Sequence, residues 1–285
     1  MSDYPDHLRA RAEAYLEALR FSEEPATAGL EEAMRYSLLA GGKRIRPVLA
    51  LATAEAIGRD PDEVLPYAAA LELIHTYSLI HDDLPAMDDD DLRRGRPTNH
   101  RAFGEDVAIL AGDGLYAEAF LHVLTRQAGE PVRVLAAVAE LAAATGVTGM
   151  VGGQYVDVKG AGDDLRRLHE LKTGRLIRAS VEGVLLLTAD AVPEPYTRFA
   201  SELGVLFQIV DDILDVTGDD ESLGKPQGSD ERHGKRTYVS EFGLERARTL
   251  AEESHAAARA ALTEAAPQGA PELQRLTDFI ATRSS

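Results

Sequence analysis

Two short stretches of the chain crowd carboxylates together in a way that invites chemistry. Residues 82–91 read Asp82-Asp83-Leu84-Pro85-Ala86-Met87-Asp88-Asp89-Asp90-Asp91, six acids with no base among them. Residues 211–221 hold five Asp and one Glu, again without a base. Like charges this close repel and resist ionising together unless cations lie among them. Carboxylate oxygens without thiolates or converging imidazoles suit a hard divalent cation such as Mg²⁺. An EF-hand is excluded, because neither stretch has Gly at the sixth loop position. The bland alternative for the first run is a solvated acidic loop. Arg93 and Arg94, directly after the acids, weigh against it, since a metal beside a guanidinium fork suits a diphosphate.

The second cluster sits on a helical pattern. In Phe207-Gln208-Ile209-Val210-Asp211-Asp212-Ile213-Leu214-Asp215 the polar residues Gln208, Asp211, Asp212 and Asp215 fall on one face, with apolar residues between. Acids on an otherwise buried helix cost folding energy unless metal or cations offset it; a surface-facing helix end is the alternative. Cations are available. Gly42-Lys43-Arg44-Ile45-Arg46-Pro47 places Lys43 and Arg46 at a predicted helix start, where free N–H groups favour an anion, although a basic surface turn fits as well. Lys172-Thr173-Gly174-Arg175, Lys225 and Lys235 add more.

Helices must position these groups. Ala, Leu, Glu and Arg dominate, apolar residues recur three and four apart, and neither period-2 strands nor tight hairpin signals stand out. Breaks at Gly58–Asp62, Pro85, Gly95–Pro97, Gly129–Pro131, Gly160–Asp164 and Pro193–Pro195, among others, leave about ten or more helices. The polar stretch 218–236 reads as a mobile loop, and no repeat is visible. The expectation is a single all-α domain over residues 1–285, with helices around a central cavity.

Composition narrows the partners. With 30 Lys and Arg against 48 Asp and Glu, the net charge of −18 argues against nucleic acid or an anionic membrane. The two clusters hold 12 of those acids, so without them the chain would stand at −6. No Cys is present, which removes disulfides, thiolate metal sites and Cys nucleophiles. The N-terminus lacks the apolar segment of a secretory signal, and the best apolar run, Val134–Ala144, is short and carries Glu140. The expectation is a soluble, cytoplasmic protein that does not span a membrane.

In chain order, Gly42-Lys43-Arg44-Ile45-Arg46-Pro47, His75, Asp82-Asp83 with Asp88, Arg93-Arg94-Gly95, Gly153-Gln154, Lys172-Thr173-Gly174, the Phe207–Asp215 run and Gly224-Lys225 resemble the trans-isoprenyl diphosphate synthase family, in particular its bacterial farnesyl diphosphate synthases. The resemblance implies an all-α fold around a deep cavity, usually as a homodimer. It implies head-to-tail condensation of isopentenyl diphosphate with an allylic diphosphate: the allylic C–O bond ionises, the alkene attacks the cation, and a proton is lost to the departing diphosphate. Charge stabilisation on that leaving group carries such catalysis.

By the same resemblance, Asp82, Asp88 and Asp211 would bind three Mg²⁺ ions, with Mn²⁺ an alternative. Asp83, Asp212 and Asp215 would act behind them. Arg93, Lys172, Lys225 and Lys235 would clamp the allylic diphosphate, and Thr173 and Gln208 would face the cation. Gly42, Lys43, Arg46, His75 and Arg94 would hold isopentenyl diphosphate. His75 lies seven residues before Asp82, hence on the same helical face, whereas His81 reads as structural. Asp82 and Asp88 are six apart, a poor helical match, so Pro85-Ala86 must break the helix and let Asp88 swing back. Tyr77 sits about 7.5 Å deeper than Asp82 along a helix. Its ring could floor the cavity, with Ser78 leaving room beside it, which in this family goes with a fifteen-carbon product, farnesyl diphosphate. Geranylgeranyl or geranyl diphosphate is the alternative. A non-catalytic subunit would have lost acids that are intact here, and a class I terpene cyclase would not need Lys43, Arg46 and Arg94. A purely cation-binding helical protein would not explain Arg93-Arg94 or Lys172-Thr173.

Overall fold

The computed structural model describes residues 4–160, 164–189, 192–218 and 235–283. Lys225, and most of the stretch expected to be a mobile loop, lie outside the described residues. The described chain is nearly all helix, as expected. In order come α1 (Asp6–Ala18), α2 (Ala28–Leu38), α3 (Ile45–Ala56), α4 (Leu65–Asp82), α5 (Asn99–Phe103), α6 (Glu105–Arg126) and α7 (Pro131–Thr145). Then follow α8 (Met150–Lys159), α9 (Leu165–His169), a π-helical turn (Glu170–Gly174), α10 (Arg175–Thr188), α11 (Glu194–Thr217), α12 (Tyr238–Phe242), α13 (Leu244–Ala265) and α14 (Pro271–Thr282).

Proline opens several of these helices: Pro66, Pro131, Pro195 and Pro271 sit in the first two positions, where the missing N–H costs no helical bond. Helix α3 buries every residue but Glu55, the mark of a central helix rather than an amphipathic one. Around it, α4 packs along α3 and α6, α10 packs among α3, α7 and α11, and α11 runs along α13. The main core draws on side chains from Tyr4 to Ile280. The ends of α3, α4, α8 and α11 and the π turn frame the cavity where the polar motifs meet.

Three local features depart from the sequence reading. Leu92–Arg93 pairs antiparallel with Arg96–Pro97 as a two-rung ribbon. Its turn residues, Arg94 and Gly95, both have positive φ (54° and 72°), the conformation of a type I′ hairpin. An Arg in that position hides the hairpin signal. Next, the chain breaks between α7 and α8 at Gly146–Gly149, where Gly149 N–H donates to the Gly146 carbonyl at 3.0 Å. Finally, the segments Glu105–Arg126 and Pro131–Lys159 are long and apolar enough, by length and composition, to cross a membrane, although the second is α7 and α8 with the Gly146–Gly149 break between them. A search for uninterrupted apolar runs misses them because their charges are few and spaced. Only 33% and 39% of their most apolar windows are buried, so these helices leave apolar surface uncovered, including Leu110, Leu121, Leu124, Val132 and Leu135.

Candidate active site

The first acidic motif is built by the end of α4. The helix stops at Asp82, because the residue before Pro85 disfavours helical backbone. The chain then turns back: Met87 N–H donates to the Leu84 carbonyl at 2.8 Å, and Asp88 N–H donates to the Asp82 carbonyl at 2.9 Å. Asp89 takes a positive φ of 52°. The six-residue spacing is thus resolved by a reversal that returns Asp88 to the helix end.

Asp82, Asp83, Asp88 and Asp90 each have a side-chain partner. Gln154 Nε2 donates to Asp82 Oδ1 at 2.7 Å, and Lys235 Nζ donates to Asp88 Oδ2 at 2.7 Å. Buried Asp83 accepts from Arg93 Nε at 3.0 Å, and Arg93 also reaches Asp90 at 3.2 Å. Burial pushes the Asp83 carboxyl up to about 6 even though Arg93 pulls against it. Burial also raises Asp82, with Lys172 opposing.

On α11 the single polar face divides. Asp211 lines the cavity and is bonded by Arg283. Asp212 is buried and accepts Tyr238 N–H at 2.7 Å and Gln208 Nε2 at 2.7 Å. A carboxylate only accepts, so the Gln208 amide must turn its NH₂ toward Asp212. Its Oε1 then takes the Thr173 hydroxyl proton at 2.9 Å. The Thr173 oxygen is left with lone pairs only, and Thr173 lines the cavity.

Thr173 and Lys172 stand on the π turn, which holds one residue more than an α-turn and re-aims its side chains. Lys172 Nζ donates to Asp157 Oδ2 at 2.5 Å. Gly153 on α8 permits this approach, since a Cβ there would come within 2.4 Å of the Lys172 backbone nitrogen.

The opposite wall is cationic. Arg46, His75 and Arg94 line the cavity. Arg46 is buried with no hydrogen-bond partner on Nε. Burial, then Arg46 and Arg94, hold His75 well below the usual imidazole range, so near neutral pH it is uncharged. Arg94 also bonds the Gly41 carbonyl. The loop leading into Arg46 is anchored by Arg44, whose φ is 54° and whose fully buried guanidinium donates to Glu72 at 2.6 Å and Glu13 at 2.8 Å. Glu72 and His75 are one turn apart on α4, so the basic loop and the acidic helix are joined through one buried ion pair.

The whole encloses about 590 Å³, lined by Asp82, Asp211, Lys172 and Thr173 and also by Tyr77, Ser78, Met150 and Val151. Asp88, Gln154, Asp157 and Lys235 edge a second recess of about 220 Å³. An acidic wall, a cationic wall and an apolar remainder suit a molecule that is anionic at one end and hydrocarbon at the other.

Residues 27–272 match the family model described as polyprenyl synthetase. The chain belongs to the polyprenyl synthetase family. It is 50% identical over 240 residues to the farnesyl diphosphate synthase of Geobacillus stearothermophilus, covering 81% of this chain and 79% of that one. It is 48% identical over 265 residues to the chloroplastic geranylgeranyl pyrophosphate synthase of Capsicum annuum, covering 90% and 72%. Among solved structures, a geranyltransferase from Helicobacter pylori complexed with magnesium and isoprenyl diphosphate superposes with a TM-score of 0.83 at 32% identity, covering 96% and 94%. The chain is therefore a prenyltransferase of the trans-isoprenyl diphosphate synthase family with the isoprenoid synthase fold.

Not every expected site residue of this synthetase faces the main cavity. Lys43 lies over the Phe279 ring at 5.1 Å and is absent from the lining. Burial and the nearby Arg283 pull its ammonium below the usual range. Gly42 is packed against the Arg94 guanidinium. Gln208 acts through Thr173 rather than on the lining, and Asp88 and Lys235 border the second recess. Among the described residues, no three cavity carboxylates offer oxygens within 4.8 Å of one another; the one such cluster is His7, Glu55 and Glu272, away from the lining. Asp82 and Asp211 thus reach the cavity from different helices, α4 and α11.

Three participants escaped sequence reasoning. Gln154 is only a landmark beside Gly153, Asp157 belongs to no motif, and Arg283 directly follows a C-terminal helix whose sequence shows nothing beyond packing. Arg283 stacks over Phe207 at 4.3 Å and accounts for the Asp211 contact. No local pattern could have found it, because its partners are 72 and 76 residues away.

Proposed function

We propose that the chain makes farnesyl diphosphate, adding isopentenyl diphosphate first to dimethylallyl and then to geranyl diphosphate. Tyr77 carries the product length. It lines the cavity five residues before Asp82 on α4, about 7.5 Å along the helix, and meets His81 and Tyr116 edge-on at 5.1 and 5.0 Å. A ring held on two sides makes a firm stop.

Asp82, Asp88 and Asp211 supply oxygen donors only, which fits Mg²⁺. Bound there, Mg²⁺ would supply Lewis-acid charge for a diphosphate leaving group. Arg93, Lys172 and Lys235 hold that group's oxygens. The Thr173 oxygen, its proton committed to Gln208, presents lone pairs to an allylic cation. Arg46, Arg94 and neutral His75 receive the second diphosphate. The uncovered apolar residues of α6 and α7 make a face that a second copy of the chain would cover, giving a homodimer.

The test is incubation with Mg²⁺, labelled isopentenyl diphosphate and each allylic diphosphate, followed by chain-length analysis. Fifteen-carbon product supports the reading. Twenty-carbon product as the main species would favour the second reading, a geranylgeranyl synthase, which the Capsicum annuum relative supports. Sedimentation at micromolar concentration tests the dimer.

A further inference from the structure

We propose that Tyr116 of α6 is a second specificity-determining residue, a lower storey beneath Tyr77. This inference rests on the reading of Tyr77 as the floor. Tyr116 does not line the cavity; it stands directly behind a residue that does. The two rings meet at 5.0 Å and 73°, edge to face, the arrangement that aromatic quadrupoles favour. Tyr116 is held in turn. Its ring packs on Phe120 at 5.2 Å, one turn further along α6, and its hydroxyl lies 3.4 Å from Thr145 Oγ1 at the end of α7.

Two consequences follow from this stack. Tyr77 cannot swing aside while Tyr116 is behind it, so Tyr116 fixes the floor. Tyr116 is also the next obstacle. Three backbone bonds span at most about 3.6 Å, so the four main-chain bonds of a five-carbon unit span about 5 Å. The ring separation therefore equals about one unit. With the Tyr77 ring removed, the chain should grow by one unit and stop at Tyr116.

The experiment measures product length for Tyr77→Ala, Tyr116→Ala, Tyr116→Phe and the double alanine variant, with isopentenyl diphosphate in excess. Tyr77→Ala should stop mainly at twenty carbons. The double variant should pass to twenty-five carbons or more. Tyr116→Ala alone should raise the twenty- to fifteen-carbon ratio at least tenfold, while the first condensation, whose product ends short of the floor, keeps its rate. Tyr116→Phe retains the ring and should keep the wild-type distribution. If Tyr77→Ala gives twenty carbons and the double variant gives the same, Tyr116 is no barrier and the proposal is overturned with the Tyr77 floor intact. If Tyr77→Ala leaves the product unchanged, the floor reading itself fails. Should circular dichroism show the double alanine variant unfolded, Tyr77→Ala/Tyr116→Leu takes its place under the same criterion.

Discussion

Gln154 Nε2 lies 2.7 Å from Asp82 Oδ1, so α8 reaches across the cavity to hold the last residue of α4. The amide donates to one carboxylate oxygen and leaves the other available. Asp82→Ala should lower turnover by about a thousandfold or more, several kcal/mol of transition-state stabilisation, with an unchanged circular dichroism spectrum. Gln154→Ala removes only the aiming hydrogen bond and should cost about tenfold. Near-normal turnover in Asp82→Ala would refute a metal role for that residue.

The close approach at Gly153 should be equally sensitive. A methyl group there must displace the backbone at Lys172, and a misplacement of about 1 Å near reacting groups can cost about a hundredfold. We expect Gly153→Ala to lose activity on that scale while its melting temperature moves by only a few degrees. Wild-type kinetics would show that α8 can shift without consequence.

The Arg44–Glu72 pair should matter for folding. Glu72→Ala strands a buried guanidinium, which costs about 3–5 kcal/mol. The urea midpoint should fall accordingly, and Arg44→Met/Glu72→Leu should recover part of the loss. An unchanged midpoint for Glu72→Ala would mean that Glu13 alone satisfies the arginine.

His169 should make stability depend on acid. It stacks on Tyr238 at 5.4 Å, neither ring nitrogen has a hydrogen-bond partner, and Asp212 is 4.0 Å away, too far to bond. Burial lowers its pKa from 6.5 to about 4. The unfolded chain takes up this proton near pH 6.5 and the folded chain only near pH 4. The stability it confers is complete above pH 6.5 and is lost as pH falls to 4, by about 3 kcal/mol at most. Asp83, held at about 6, works in the opposite sense, so the comparison must be between variants. Between pH 7.5 and 4.5, His169→Phe should lose less stability than wild type in urea titrations; equal losses would contradict this.

Divalent-cation dependence should extend to binding. Asp82, Asp88 and Asp211 repel an anionic substrate unless metal neutralises them. Calorimetry should show allylic diphosphate binding lost in excess chelator. Equally tight binding there would sink the idea.

The helical fold and the two acidic clusters were legible because both are local. Three- and four-residue spacing reports a helix, and Gln208 through Asp215 share one face by arithmetic alone. Even the reversal after Asp82 follows from Pro85. What stayed hidden depends on contacts between distant segments. Arg283 reaches Asp211 across 72 residues of sequence, and Asp157 reaches Lys172 only because α8 packs against the π turn. The Arg94-Gly95 turn was missed for a different reason, since a non-glycine residue carries the positive φ. Sequence could name Lys43 but could not show that its ammonium lies over Phe279 rather than on the lining.

The π turn at Glu170–Gly174 amounts to one surplus residue within an otherwise continuous helical run from α9 into α10. Deleting a single residue there would restore regular hydrogen bonding and give a smoother helix. It would also rotate everything on one side by about 100° relative to the other, parting Lys172 and Thr173 from Asp157 and Gln208. The most comfortable backbone for this segment is thus incompatible with the site, and also with the packing of α10, ten of whose fourteen residues are buried.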